Sequence, residues 1–113
     1  MKKNPLIFLT HIQESIQYIE KFTNNISKSD FLNSVQIQDA VIRRLEIIGE
    51  ATKNLPIDLR KQYPQVRWED IAGMRDKLIH HYFGIDLKIT WTVVKKDIPQ
   101  LKKHIKTILK SEK

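Results

Sequence analysis

The stretch Trp68-Glu69-Asp70-Ile71-Ala72-Gly73-Met74-Arg75-Asp76-Lys77-Leu78-Ile79-His80-His81-Tyr82-Phe83-Gly84 places an arginine, an acid, two histidines and a tyrosine within eight residues. Arg75 and His80 stand at Arg-x4-His spacing, and His80 and Tyr82 at His-x-Tyr. No other part of the chain gathers such a set. At about 100° per residue, Ile71, Met74, Leu78, Ile79 and Tyr82 share one broad apolar stripe. The stretch therefore reads as an amphipathic helix from about Arg67 to Phe83. Gly84 suits its C-cap, which puts His80, His81 and Tyr82 in the last turn, where the helix end favours a protonated imidazole. Arg75 falls inside the apolar stripe. A charge there is costly to bury unpaired, so it points to a polar pocket, an interface or an anionic ligand. His80 lies roughly 140° from Arg75 on a straight helix, so the two do not share a face. A bridging phosphate-sized group, a loosened helix end or a second copy of the chain would each reconcile them.

Outward from this helix the same period recurs. On the C-terminal side, Asp86 reads as the cap of a helix carrying Leu87, Ile89, Trp91, Val94 and Ile98. Pro99 predicts a kink or restart. A final helix over about Gln100 to Lys110 has Leu101, Ile105, Ile108 and Leu109 on one face, lysines on the rest and His104 at the surface. On the N-terminal side, Tyr63-Pro64-Gln65 is a break, Pro56 to Gln62 a short helical turn, and Leu55-Pro56 a helix stop. Before it, Ser29 is a candidate N-cap for a short helix over Asp30 to Ser34, and the pattern continues through Val35, Ile37, Ala40, Val41, Leu45 and Ile48 to about Asn54. Gly49 inside that run costs about 1 kcal/mol against alanine, which suggests a close helix–helix approach. Glu50 reads as an exposed carboxylate more readily than as an arginine partner. The first helix spans about Pro5 to Asn24 on Leu6, Leu9, Ile12, Ile16, Ile19 and Phe22, with His11 at its surface or boundary and given no role. No segment alternates with period two between turn signals. These patterns predict an all-α fold, an antiparallel helical bundle of about five helices, as a single domain over residues 1–113.

The composition narrows the function. The 113 residues suffice for one domain with a real core. There is no cysteine, so neither a disulfide scaffold nor a thiolate metal site is possible. No apolar run approaches the roughly 20 residues of a membrane span, and the expectation is a soluble, cytoplasmic protein. The net charge of +7 is unevenly placed. Residues 1–50 hold six lysines and arginines against six acids, and residues 51–113 hold fourteen against seven. The basic half also carries the Arg/His/Tyr cluster. Its excess fits either a well-solvated surface or an anionic partner, with nucleic acid the commonest.

The chain has no His-Glu-x-x-His, no acids clustered with histidines at ligand spacing, no phosphate loop and no nucleophile elbow. No metal or other cofactor is expected. Arg75, His80, His81 and Tyr82 remain, a set suited to phosphodiester chemistry without a metal. A histidine can move a proton to or from a ribose 2′-hydroxyl or a leaving 5′-oxygen. An arginine can hold the phosphate, and a tyrosine can stack a base or donate to phosphate. The same residues also fit a structural arginine, capping histidines and a core tyrosine. With five arginines and four histidines in the chain, the short spacing does not decide between these readings.

The wider sequence adds a resemblance. Gln38-Asp39-Ala40-Val41-Ile42-Arg43-Arg44-Leu45-Glu46-Ile47-Ile48-Gly49-Glu50-Ala51 resembles the long-helix signature of the HepT-like branch of the HEPN superfamily. Trp68 through Asp86 resembles the active-site block of that branch, and Trp91, Asp97-Ile98-Pro99 and Leu101 its C-terminal pattern. The resemblance covers nearly the whole chain. It implies the toxin of a type VII-like toxin–antitoxin module whose partner is an MNT-type nucleotidyltransferase antitoxin. It implies a metal-independent endoribonuclease acting on RNA, tRNA or mRNA, with Arg75 as phosphate ligand, His80 as general acid or base, and Asp76, His81 and Tyr82 in support. The position after the arginine is commonly polar, often asparagine; here it is the acid Asp76. The resemblance also implies a two-fold homodimer that brings both motifs to one cleft, and adenylylation of Tyr82 by the partner as the neutralising step. The alternative it leaves open is a non-catalytic nucleotide- or substrate-binding subunit of a paired nucleotidyltransferase.

Overall fold

A computed structural model describes residues 4–78 and 85–112, without the side chain of Lys77. The described chain is helical throughout, with no sheet among the described residues. The all-α class predicted from the period-3.6 pattern is the one observed.

Helix α1 (Pro5–Thr23) starts where Asn4 Oδ1 accepts a hydrogen bond from the Leu6 N–H at 2.9 Å, with Pro5 at the first position. Its buried stripe is Leu9, Ile12, Ile16 and Ile19, each at most 1% exposed. Helix α2 (Lys28–Leu32) is capped by Ser27, not by Ser29. The Ser27 hydroxyl accepts from the Asp30 N–H at 3.0 Å and the Asp30 carboxylate accepts from the Ser27 N–H at 2.9 Å. Local chemistry explains the two-residue difference: both serines can cap, but only Ser27 has an acid three residues on to close the box. Helix α3 (Val35–Lys53) begins afresh behind its own cap, Ser34. The buried Gln38 amide donates to the carbonyls of Phe31 and Leu32 at 2.9 and 3.1 Å, satisfying the end of α2.

The most extensive helix–helix contact is α1 on α3. Phe8 and His11 of α1 share a groove with Glu46, Glu50 and Lys53 of α3, so the two helices run antiparallel. Val41, Leu45 and Ile48 close the core from α3. Helix α4 (Ile57–Gln62) follows Pro56. Arg60 of α4 turns back to donate to the Leu55 carbonyl at 3.0 and 3.2 Å, covering a free carbonyl beyond the end of α3. The Trp68 indole N–H reaches the carbonyls of Arg60 and Tyr63, both at 3.0 Å, and ties the next helix to α4.

Two expectations are corrected in the second half. The helix predicted as continuous from Arg67 is two segments, α5 (Trp68–Ala72) and α6 (Met74–Leu78), with a turn at Gly73. The Gly73 N–H closes the first on Glu69 O at 2.9 Å. The predicted continuation through Ile79 to Phe83 and the Gly84 cap lie outside the described residues. Pro99 does not restart the chain. Helix α7 (Leu87–Thr92) passes through a π-helical turn, Val93–Asp97, directly into α8 (Ile98–Glu112). Pro99 is the second residue of α8, and the wide turn ahead of it takes up the ring and the missing N–H without ending the helix. Leu101, Ile105, Ile108 and Leu109 are buried as expected. His104 is half-buried beside Gln65 and Asp70, not on the open surface. No helix among the described residues is long and apolar enough to cross a membrane.

Candidate functional site

Gly73 decides how Arg75 is presented. A straight helix through residues 67–83 would place the guanidinium in the apolar stripe. The turn at Gly73 resets the phase, so Met74 and Leu78 face the core at 3% and 1% exposure while Arg75 and Asp76 point outward. The expected position of Arg75 within the stripe is thus corrected: it is exposed, and it makes no ion pair with a described residue.

Gly49 sets the height of α5 and α6 over α3. A Cβ on Gly49 would lie 3.3 Å from the carbonyl oxygens of both Ala72 and Ile71 and 3.7 Å from the Met74 Cβ. A side chain there would push that backbone away by a few tenths of an ångström, and the close approach expected from the glycine's place in the sequence is what the structure contains. The carbonyl end of α5 therefore sits directly on α3, and Arg75, three residues further on, overhangs it.

A groove of about 290 Å³ runs beneath. Its floor follows one face of α3 through Arg43, Glu46, Glu50 and Lys53, the three- and four-residue spacing of a helix face. Phe8 and His11 of α1 form one wall and Ala72 and Arg75 the other. Glu50 is exposed, as expected, and pairs with Lys53 at 3.3 Å; its side chain is 71% exposed, so the pair adds little stability. It nonetheless lines the same groove as Arg75. Asp76 is not part of the described lining.

His80, His81 and Tyr82 lie outside the described residues. The chain on either side of them is firmly held. The Asp86 N–H donates to the Leu78 carbonyl at 2.7 Å, so the last residue of α6 and the cap of α7 meet. The Asp86 carboxylate accepts from the N–H groups of Lys88 and Ile89 at 3.0 and 3.1 Å, the cap predicted for it. Trp91 of α7 packs on Phe31 with ring centroids 5.3 Å apart. Leu78 at the end of α6 and Asp86 at the start of α7 are thus joined, and α7 is in turn packed on Phe31 of α2. Among the described residues no group of three or more His, Cys, Asp or Glu side chains could hold a metal ion.

One groove residue escaped the sequence reading. His11 stands 64 positions before Arg75 and was given no role, yet it is exposed in the same groove, edge-on to Phe8 with centroids 6.4 Å apart. The only local signal was the Phe8/His11 spacing of three on a helix, and nothing in it tells which neighbour that face meets.

The family model described as ribonuclease HepT-like matches residues 12–108. The chain belongs to the HepT-like family of the HEPN superfamily. Similar proteins include a "Gamma-glutamylcyclotransferase and putative RNase" of Methanocaldococcus jannaschii, 54% identical over 96% of this chain and 49% of that protein. The "Probable ribonuclease HepT" of Thermococcus cleftensis is 51% identical over 90% of this chain and 93% of its own length. A "Putative RNase" of Caldanaerobacter subterraneus subsp. tengcongensis is 45% identical over 98% and 99%. The chain spans about half the length of the first of these and nearly all of the other two. No solved structure is a significant match. The HepT-like match takes in Arg43, Glu46, Glu50 and Arg75 but opens at Ile12, so the Phe8/His11 wall stands outside it.

Proposed function

We propose that this HepT-like chain is a metal-independent endoribonuclease, the toxin of a type VII-like module. The observation that carries the reading is Arg75: an exposed guanidinium with no acid paired to it among the described residues, overhanging a groove and standing five positions before His80 in the sequence. A free guanidinium in such a place suits a phosphate, which it can hold by two parallel hydrogen bonds. The ribonuclease names of the relatives support the same substrate.

In the proposed reaction the ribose 2′-oxygen attacks the adjacent phosphorus and the bond from phosphorus to the 5′-oxygen breaks. The 2′-hydroxyl gives up its proton and the leaving 5′-oxygen gains one. The products are a 2′,3′-cyclic phosphate and a 5′-hydroxyl. Arg75 neutralises the charge that builds on the phosphoryl oxygens. His80 moves the proton as general acid or base, with Asp76, His81 and Tyr82 in support. A two-fold homodimer brings both Arg-x4-His motifs to one cleft, which removes the need for Arg75 and His80 to share a helix face. An MNT-type nucleotidyltransferase antitoxin neutralises the chain by adenylylating Tyr82. The added anionic group repels RNA from Arg75 by charge and by bulk.

The test is cleavage of a labelled RNA pool with EDTA present, by the parent and by His80→Ala. Cleavage by the parent alone, with cyclic-phosphate ends, is expected. No cleavage by unmodified parent protein would favour the nucleotide- or substrate-binding subunit of a paired nucleotidyltransferase. Cleavage by both would shift the proton-moving role to His81, checked by the double variant.

A further inference from the structure

We infer that the groove between α1 and α3 is a base-binding subsite for the nucleotide next to the scissile phosphate, with His11 as its stacking residue and Arg43 as a second phosphate ligand. This rests on the ribonuclease reading and adds to it a site for single-stranded RNA. The groove has two chemically different parts. Arg75 and Arg43 supply two guanidinium groups from different helices, and neither is ion-paired with a described residue. Phe8 and His11 supply two aromatic rings, set at 90° to one another. Cations that hold a backbone beside rings that hold a base are the pairing by which proteins bind single-stranded nucleic acid.

The carboxylates discriminate between a base and a second phosphate. Glu46 and Glu50 lie on the floor beside these rings. They repel a phosphate placed over them, and they accept hydrogen bonds from the N–H groups of a base edge. A base over the Phe8/His11 wall, with its phosphates toward Arg43 and Arg75, meets each charge with its complement. The volume of about 290 Å³ is of the size of a single nucleotide. The subsite therefore adds affinity for a single strand beside the scissile phosphate, and the chemistry stays with Arg75 and His80.

The experiment measures binding of a fluorescent 12-nucleotide, mixed-sequence, single-stranded 2′-O-methyl RNA, which cannot be cut because it lacks the attacking hydroxyl. Anisotropy titrations at several salt concentrations compare the parent with His11→Ala, His11→Phe and Arg43→Ala. Both positions are exposed, so the fold is retained. His11→Ala is expected to weaken binding by about 5- to 150-fold, the range of one lost stacking partner, with the salt dependence unchanged. His11→Phe should restore most of the affinity, since stacking needs a ring and not a charge. Arg43→Ala should weaken binding and reduce the slope of log K against log salt by about 0.7, one phosphate contact fewer on a single strand. A parent that cleaves the RNA pool but does not bind this strand overturns the subsite alone, and a parent that neither binds nor cleaves overturns the ribonuclease reading as well. A parent that binds while His11→Ala and Arg43→Ala bind equally well overturns the subsite alone. So does a His11→Phe variant as weak as His11→Ala.

Discussion

Arg75 is exposed, so its removal separates function from stability. Arg75→Ala should lower RNA cleavage by at least about 100-fold, the scale of losing one group that stabilises transition-state charge. Its unfolding free energy should stay within about 0.5 kcal/mol of the parent, as for surface substitutions away from structural features. Rates and thermal melts on the same preparations check both halves; a large loss of stability would return Arg75 to a structural role. The residue scale is also where the sequence was least complete. The Arg-x4-His spacing was readable, and so was the exposed state of Glu50. The direction of Arg75 was not, because the helical-wheel argument assumed one unbroken helix across Gly73. His11 was not, because its partners in the groove come from α3 and α6, and a pattern along α1 carries no information about them.

Elements followed their local signals closely. The buried stripes of α1, α3 and α8 follow the period-3.6 pattern except at Val35, which is 69% exposed because it stands at the first position of α3, ahead of the face that meets the core; Asn4, Ser34 and Asp86 cap where short polar side chains precede such stripes. Where one signal had two solutions, as with Ser27 and Ser29, the reciprocal bond from Asp30 decided, and that bond depends on geometry. Gly49 is the element-scale feature with the most consequence for the site. Gly49→Val would gain a few tenths of a kcal/mol in helix propensity. Against that, its Cβ would press on two backbone carbonyls at 3.3 Å, and carbonyls of a packed helix do not rotate away as a side-chain tip does. Overpacking costs about 1–3 kcal/mol, so the net effect should be a loss of about 1–2 kcal/mol. Denaturant unfolding measures the loss. RNA cleavage should fall as well, since α5 must lift from α3 and carry Arg75 with it. A Gly49→Val protein as stable and active as the parent would mean that the contact between α3 and α5 does not hold the site.

At the scale of the whole molecule the charge is lopsided, with the excess of seven positive charges carried entirely by residues 51–113. That half approaches RNA favourably, but like-charged surfaces oppose the pairing of two copies, so a homodimer must join through surfaces that are closer to neutral. The near-neutral half, α1 to α3, is also the half that floors the groove under Arg75. A two-fold axis beside that groove would bring the two Arg75 side chains toward one cleft. Subunit mixing tests whether the site is shared. Arg75→Ala and His80→Ala are each inactive as homodimers under the proposed mechanism. If each catalytic unit takes its arginine from one copy and its histidine from the other, a mixed dimer keeps one complete unit and loses both groups from the second. Random exchange makes half the molecules mixed, so about a quarter of the parent's activity should return. If each copy supplies its own arginine and histidine, every unit in the mixed dimer lacks one of them and no activity returns. Light scattering on the same samples establishes the mass, and a monomer at working concentration would remove the shared cleft altogether. Recovery would place Arg75 and His80 opposite one another across an interface, an arrangement in which the angle between them along one helix no longer constrains the chemistry.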